Sequence, residues 1–240
     1  VWSGDSKRIL FQSDAEKDLA IFWQFADGTG MAERLTKPEA GEAHRPESWL
    51  PMEQKFSYWD GKTQDIRIYS VDGKDEKKDA PLISVPGSDQ YDSTFSPNGH
   101  WIAYRSREPG KAGIYVEPYP PTGSRYLLGV NEGNAWAPAW SPDSRAVYFH
   151  RVAIGQLHAF VLQAQPFQVT ATTDLSVSRF TYSTGYRMYD VLPDGKHFVL
   201  IRNAQSNAGT AAPAAIVPPA IKVVVNWFEE LKKLASTPGN

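Results

Sequence analysis

Four pairs of residues recur at one fixed place in this chain, and they carry most of the chemistry it could offer. They are His44/Arg45, Gln90/Tyr91, Ala135/Trp136 and Tyr186/Arg187, with Asp92, Asn134 and Asp190 close by. Each pair stands five and four residues before a large apolar residue: Trp49, Phe95, Trp140 or Val191. Imidazole, guanidinium, carboxamide, phenol and indole in such slots could hydrogen-bond and stack on a polar ligand or a peptide. Loops are polar in any case, so the same residues also fit ordinary connections, and that plainer reading carries the greater weight.

Other chemistries find less support. The five histidines are His44, His100, His150, His158 and His197, and only His44 occupies one of the recurring slots. A metal site needs several donors converging, so no metal is expected. There is no Gly-x-Ser-x-Gly elbow, and a Ser-His-Asp set cannot be drawn from spacing alone. Gly28-Thr29-Gly30 lacks the Lys-Ser/Thr continuation of a phosphate loop. No cofactor and no catalytic residue is therefore expected.

The elements that must position these slots come from a repeat. Its clearest copy is Trp140-Ser141-Pro142-Asp143-Ser144-Arg145-Ala146-Val147-Tyr148-Phe149, and related stretches begin at Trp2, Trp49, Phe95 and Val191. These anchors are 47, 46, 45 and 51 residues apart. Seven residues after each comes Ile9, Phe56, Ile102, Val147 or Phe198; nine after comes Phe11, Tyr58, Tyr104, Phe149 or Leu200. A large residue, a polar turn and an alternating apolar run describe two antiparallel strands joined by a hairpin. Asp5, Asn98, Asp143 and Asp194 suit that turn because their side chains bond nearby backbone and they tolerate left-handed geometry, and Gly99 and Gly195 enter that region freely. The repeated carboxylates are thus turn formers.

A third strand follows in each copy: Leu19–Phe25, Asp65–Val71, Gly113–Glu117, Leu157–Leu162 and Ile221–Trp227. In the first three a Gly-bearing turn leads to a short fourth strand near Arg34–Thr36, Leu82–Val85 or Tyr126–Leu128. Four strands per repeat of this length is the period of a β-propeller blade, and blades must stack because one alone cannot bury both faces. The fold class expected is all-β: a propeller of four-stranded antiparallel blades, about five of them, within a six- or seven-bladed parent. The blades fall at 1–43, 44–87, 88–130, 131–178 and 179–227. Residues Asn203 to Ala220 read as an Ala/Pro-rich connector, and 227–235 as a short amphipathic helix covering the last blade's edge.

The motifs WSPDSR at Trp140, FSPNGH at Phe95 and LPDGKH after Val191 resemble the TolB-type propeller repeat. Gly4 replaces the proline in the first copy, and Leu50 to Gln54 departs in the second. The ending KVVVNWFEELKKL is similar to the tail of propeller regions in large bacterial proteins. The resemblance implies an axial funnel lined by the recurring slots. It also implies a larger parent, in some cases with an N-terminal serine/threonine kinase domain, in others secreted or periplasmic. Some enzymes on TolB-like propellers use clustered axial histidines, a cluster this sequence lacks.

Composition narrows the partners. The 240 residues include 25 basic and 27 acidic side chains, giving a net charge of −2, so bulk electrostatics draws the chain to neither nucleic acid nor anionic membrane. No stretch is apolar over the roughly 20 residues that span a bilayer. With no cysteine, neither disulfides nor thiolate sites form, and both cytoplasm and periplasm are compatible. The opening at Val1-Trp2, directly on a repeat anchor, reads as a fragment of a longer chain. The function expected is a non-catalytic binding, scaffolding or sensory module for a protein or small polar ligand, in a periplasmic or extracytoplasmic setting. The alternatives are an accessory propeller gating a peptidase, or a carbohydrate-active enzyme working through the funnel.

Overall fold

The computed structural model describes residues 1–73, 78–128, 135–151, 156–164, 167–178 and 186–201. The expected connector at Asn203–Ala220, the strand at Ile221–Trp227 and the helix at 227–235 lie outside them. The described residues form five antiparallel sheets, each a simple meander in chain order.

The first sheet holds β1 (Arg8–Ser13), β2 (Ala20–Phe25) and β3 (Glu33–Arg34). A bridge from Trp2 to Ile9 is the trace of a strand inside β1. The second holds β4 (His44–Trp49), β5 (Lys55–Asp60), β6 (Asp65–Ser70) and β7 (Asp79–Ile83). The third holds β8 (Gln90–Phe95), β9 (Trp101–Ser106), β10 (Gly113–Pro118) and β11 (Tyr126–Leu128). The fourth holds β12 (Ala135–Trp140), β13 (Ala146–Arg151), β14 (Gln156–Ala164) and β15 (Phe167–Ser178). The fifth shows β16 (Tyr189–Val191) and β17 (Phe198–Leu200). The strand β15 has no counterpart in the sequence reading, which placed no fourth strand in that repeat.

The repeated Ser-Pro-Asp/Asn has a local physical cause. Ser3, Ser96 and Ser141 donate their hydroxyls to Asp5, Asn98 and Asp143 at 2.7, 2.7 and 2.5 Å. The same hydroxyls accept the backbone N–H of Arg8, Trp101 and Ala146, five residues on. A buried hydroxyl thus ties both arms of the hairpin. The turn closes through the N–H of Ser6, Gly99, Ser144 and Gly195, all left-handed. The second copy breaks the pattern: Glu53 N–H closes on Leu50 and Met52 takes the left-handed position, with φ 64°.

Apolar residues from facing sheets interlock into four cores. Leu10 and Ile21 meet Trp49, Phe56 and Tyr58 between the first two sheets. Ile66 and Ile83 meet Phe95, Ile102 and Tyr104 between the second and third. Ala103, Ile114 and Leu128 meet Trp140, Val147 and Phe149 between the third and fourth. Ala137, Ala139 and Leu157 meet Tyr189 between the fourth and fifth. Phe56, Tyr58, Ile102, Tyr104, Val147 and Phe149 are fully buried, as their repeat positions require. Among the anchors Trp49, Phe95 and Trp140 are buried, Val191 is half-buried and Trp2 is 54% exposed.

Candidate functional site

Three of the four recurring slots fall in the first residues of the innermost strands, and not in the loops before them. His44-Arg45 opens β4, Gln90-Tyr91 opens β8 and Ala135-Trp136 opens β12. Tyr186 and Arg187 precede β16, and Asn134 lies outside the described residues.

Each of these three strands carries an extra residue shortly after the slot. The register slips between Pro46 and Ser48, Tyr91 and Thr94, and Trp136 and Ala139. Asp92 and Ala137 take φ of 58° and 53° there. A bulge turns backbone N–H groups out of their own ladder, where they need another acceptor. The preceding sheet supplies it. Glu47 accepts from Asp92 N–H at 2.7 Å, from Ser93 N–H at 2.8 Å and from the Ser93 hydroxyl at 2.5 Å. Burial raises the pKa of Asp92, and the backbone N–H of Ala137 in the next sheet acts against that rise. Tyr189 donates its hydroxyl to Ala137 O at 2.7 Å, and Trp140 Nε1 donates to Thr94 O at 3.0 Å. The inner strands are stitched one to the next by side chains.

Both carboxyl groups are buried, and burial pushes both upward, with Arg45 the largest opposing influence. Its guanidinium lies 3.3 Å from Glu47 and 3.7 Å from Asp92. The remaining slot residues fall into two sets. His44 is buried, its Nε2 3.8 Å from Asp60 and its ring 4.9 Å from Tyr58, and burial lowers its pKa. Gln90 is fully buried and braces the chain that enters β8, accepting from Val85 N–H and donating to Ser88 O.

The second set is aromatic and cationic, with Tyr91 and Arg105 buried, Trp136 half-buried and Arg107 exposed. Tyr91 and Trp136 have ring centroids 5.6 Å apart. Arg105 lies over Trp136 with Cζ 3.5 Å from the ring centroid, and 5.5 Å from that of Tyr91. Arg107 sits 5.6 Å from Tyr91 and 5.8 Å from Trp136. Burial pushes the Tyr91 hydroxyl up to about 12. Arg45 spans from Trp59, at 5.0 Å, to the 56% exposed ring of Tyr186, at 5.7 Å. Arg187 reaches Pro138 O at 3.3 Å and Asp190 at 3.6 Å. Spacing missed Glu47, Trp59, Arg105 and Arg107. Glu47 carried one usable signal, a carboxylate inside an inner strand two residues before its anchor.

A second polar cluster recurs farther out in the sheets. Tyr58 donates to Asp79 at 2.9 Å, while Arg67 Nε reaches the Tyr58 hydroxyl at 3.0 Å and Asp79 at 2.9 Å. Tyr104, Glu117 and Arg125 repeat the arrangement, with Arg125 Nε 3.0 Å from the hydroxyl and 3.1 Å from Glu117. In the fourth sheet Phe149 stands in for the tyrosine, and His158 Nδ1 lies 2.6 Å from Asp174, with Arg151 at 3.3 Å. His158 and Asp174 look like the base and orienting acid of a triad. Their place in the series is that of a clamp between strands. Among the described residues no group of three or more His, Cys, Asp or Glu could hold a metal ion, and no helix is long and apolar enough to cross a membrane.

No protein-family model matches the chain. Solved structures share its architecture. A putative TolB from Agrobacterium tumefaciens is similar with a TM-score of 0.56 at 20% identity, over 72% of this chain and 64% of that one. TolB from Acinetobacter baumannii gives 0.56 at 17% identity, over 74% of this chain and 43% of that one. The fold is a β-propeller. The β-propeller domain of Cps50 (Swd1) from Myceliophteria thermophila, at 0.56 and 10% identity over 82% of this chain and 59% of that one, shares it too. The chain spans less than two thirds of the length of each. In propeller terms, the sheets are blades and the first strand of each lines the axis. The Arg–aromatic cluster sits where those strands begin, at one end of the axis, and the Ser-Pro-Asp hairpins sit at the other.

Proposed function

We propose that this propeller is a non-catalytic binding module, the scaffolding or sensory part of a longer bacterial protein, and that its partner docks at the axial end. One observation carries the reading. Arg105 lies over Trp136 beside Tyr91, exposed Arg107 lies 5.6 and 5.8 Å from the two rings, and Arg45 approaches the exposed ring of Tyr186. Tryptophan, tyrosine and arginine dominate the energetics of protein interfaces, because they bury much area and little rotamer freedom is lost when the rings are already held. The nearby acids support binding over catalysis. Glu47 accepts three hydrogen bonds from the next blade and the Asp92 side chain is buried beside Arg45, so neither is positioned as a general base toward solvent.

The ligand class follows from the same groups: an extended peptide or a small polar molecule presenting carbonyl or carboxylate oxygens to Arg107 and Arg187, and a flat or apolar surface to Trp136 and Tyr186. The test uses a panel of peptides of varied charge, free amino acids and oligosaccharides, read by calorimetry. The variant Arg107→Ala/Tyr186→Ala removes two exposed side chains. Binding lost by about tenfold or more, with the melting temperature within a few degrees of the parent, supports the reading. Binding that ignores both substitutions, or turnover of any panel member, sinks it.

A further inference from the structure

Among the described residues, the outermost strands of the first three blades are short or carry proline. β3 has two residues, β11 has three, and β7 has five including Pro81. Short or proline-bearing edges deny a template to other strands. The fourth blade departs from this. Its outermost strand, β15, has 12 residues, FQVTATTDLSVS, without proline, glycine, lysine or arginine. Among the described residues it is last in its sheet, pairing with β14 on one side only, and every residue from Gln168 to Asp174 is exposed. Register shifts at Val161/Leu162 and Gln156/Leu157 bound a regular stretch, Ala171 to Leu175, in between.

The charge on that stretch is already answered within the chain. Asp174 is its one ionisable residue, held by His158 at 2.6 Å and Arg151 at 3.3 Å. We infer that Ala171–Leu175 is a homotypic docking edge, which pairs antiparallel with the same strand of a second copy of this chain about a two-fold axis at Thr173. The occupant is argued from the sequence of the stretch itself. Centred on Thr173, Ala171 stands opposite Leu175 and Thr172 opposite Asp174, so no like charges are opposed and each carboxylate meets a hydroxyl donor. Cross-strand pairs of this kind stabilise antiparallel edges, and a two-fold contact needs one self-complementary strand only. The pairing would join two four-stranded blades into one continuous sheet. Its main-chain hydrogen bonds would form on the side of β15 away from β14, a side that pairs with no other strand among the described residues.

Sedimentation of the 240-residue chain over a dilution series tests this, beside Thr173→Lys and the control Met31→Lys on an exposed residue of the first blade. A lysine at the two-fold axis would face its own copy. The expected result is a concentration-dependent dimer whose dissociation constant rises about tenfold or more in Thr173→Lys and stays put in Met31→Lys. On the unsubstituted chain, amide exchange at Ala171–Leu175 should slow as concentration rises. A chain that stays monomeric up to about 1 mM overturns the inference. So does a dimer indifferent to Thr173→Lys with no change in exchange at these amides. Capture of an added extended peptide by a monomeric chain, sensitive to Thr173→Lys, would assign the edge to a foreign strand and reject the second copy.

Discussion

Glu47 and Ser93 belong to different blades, yet the Glu47 carboxylate takes both the backbone N–H of Ser93, at 2.8 Å, and its hydroxyl, at 2.5 Å. The contact exists because β8 bulges there and turns two N–H groups away from β9. Glu47→Gln keeps the shape but sets an amide NH2 against one of those donors. A buried donor without an acceptor costs about 1–3 kcal/mol. Urea unfolding should show a loss in that range. A change below about 0.5 kcal/mol would mean that the bulge finds another acceptor.

Trp140 tests the repeat as a packing device. It is nearly buried against the third blade, and its Nε1 donates to Thr94 O. Trp140→Ala removes a large core aromatic and leaves that carbonyl bare, so a loss of about 3–5 kcal/mol is expected in denaturant titration. A loss below about 1 kcal/mol would contradict the register assigned to the repeat.

Met52 stands fully exposed in a left-handed turn position, directly after Pro51. A side chain there costs about 1–2 kcal/mol, part of which glycine returns as greater freedom of the unfolded chain. Met52→Gly should therefore raise stability by roughly 0.5–1 kcal/mol, seen as a higher melting temperature. A drop would show that the methionine makes a contact that holds the turn.

Burial lowers the pKa of His44 and of His150 from the ordinary 6.5. A depressed folded value means that the folded state binds the proton less readily than the unfolded chain. The associated stability is fully present above 6.5 and is lost as pH falls through the lowered values. The melting temperature should fall as pH drops below 6.5, and His44→Gln should make that fall shallower. An unchanged slope would assign the whole effect to other groups.

Gly4 shows how a sequence exception can have a tertiary cause. The other copies place Pro51, Pro97, Pro142 and Pro193 at this position. A Cβ on Gly4 would come within 2.8 Å of Trp49 Nε1, in the neighbouring blade. The proline pattern was legible from sequence; the reason for its absence needed the packed pair.

The sequence by itself determined the period, the hairpins and the buried anchors, because each depends on residues within one repeat. Ser141, Asp143 and Ser144 close their own turn, and Val147 and Phe149 follow from alternation along one strand. Four of the five sheets, and the strands in them, could be read that way. Tertiary structure alone decided which slot residues face inward, because that depends on bulges and on partners about 45 residues away. His44 and Gln90 are drawn into packing, Asp92 is buried beside Arg45 of the preceding blade, and Arg105 and Arg107 join Trp136 from positions the spacing never marked, at the end of β9 and just beyond it. The long edge of β15 was hidden for a related reason: alternation of small polar and β-branched residues looks alike in a strand and in a loop until a partner strand fixes it.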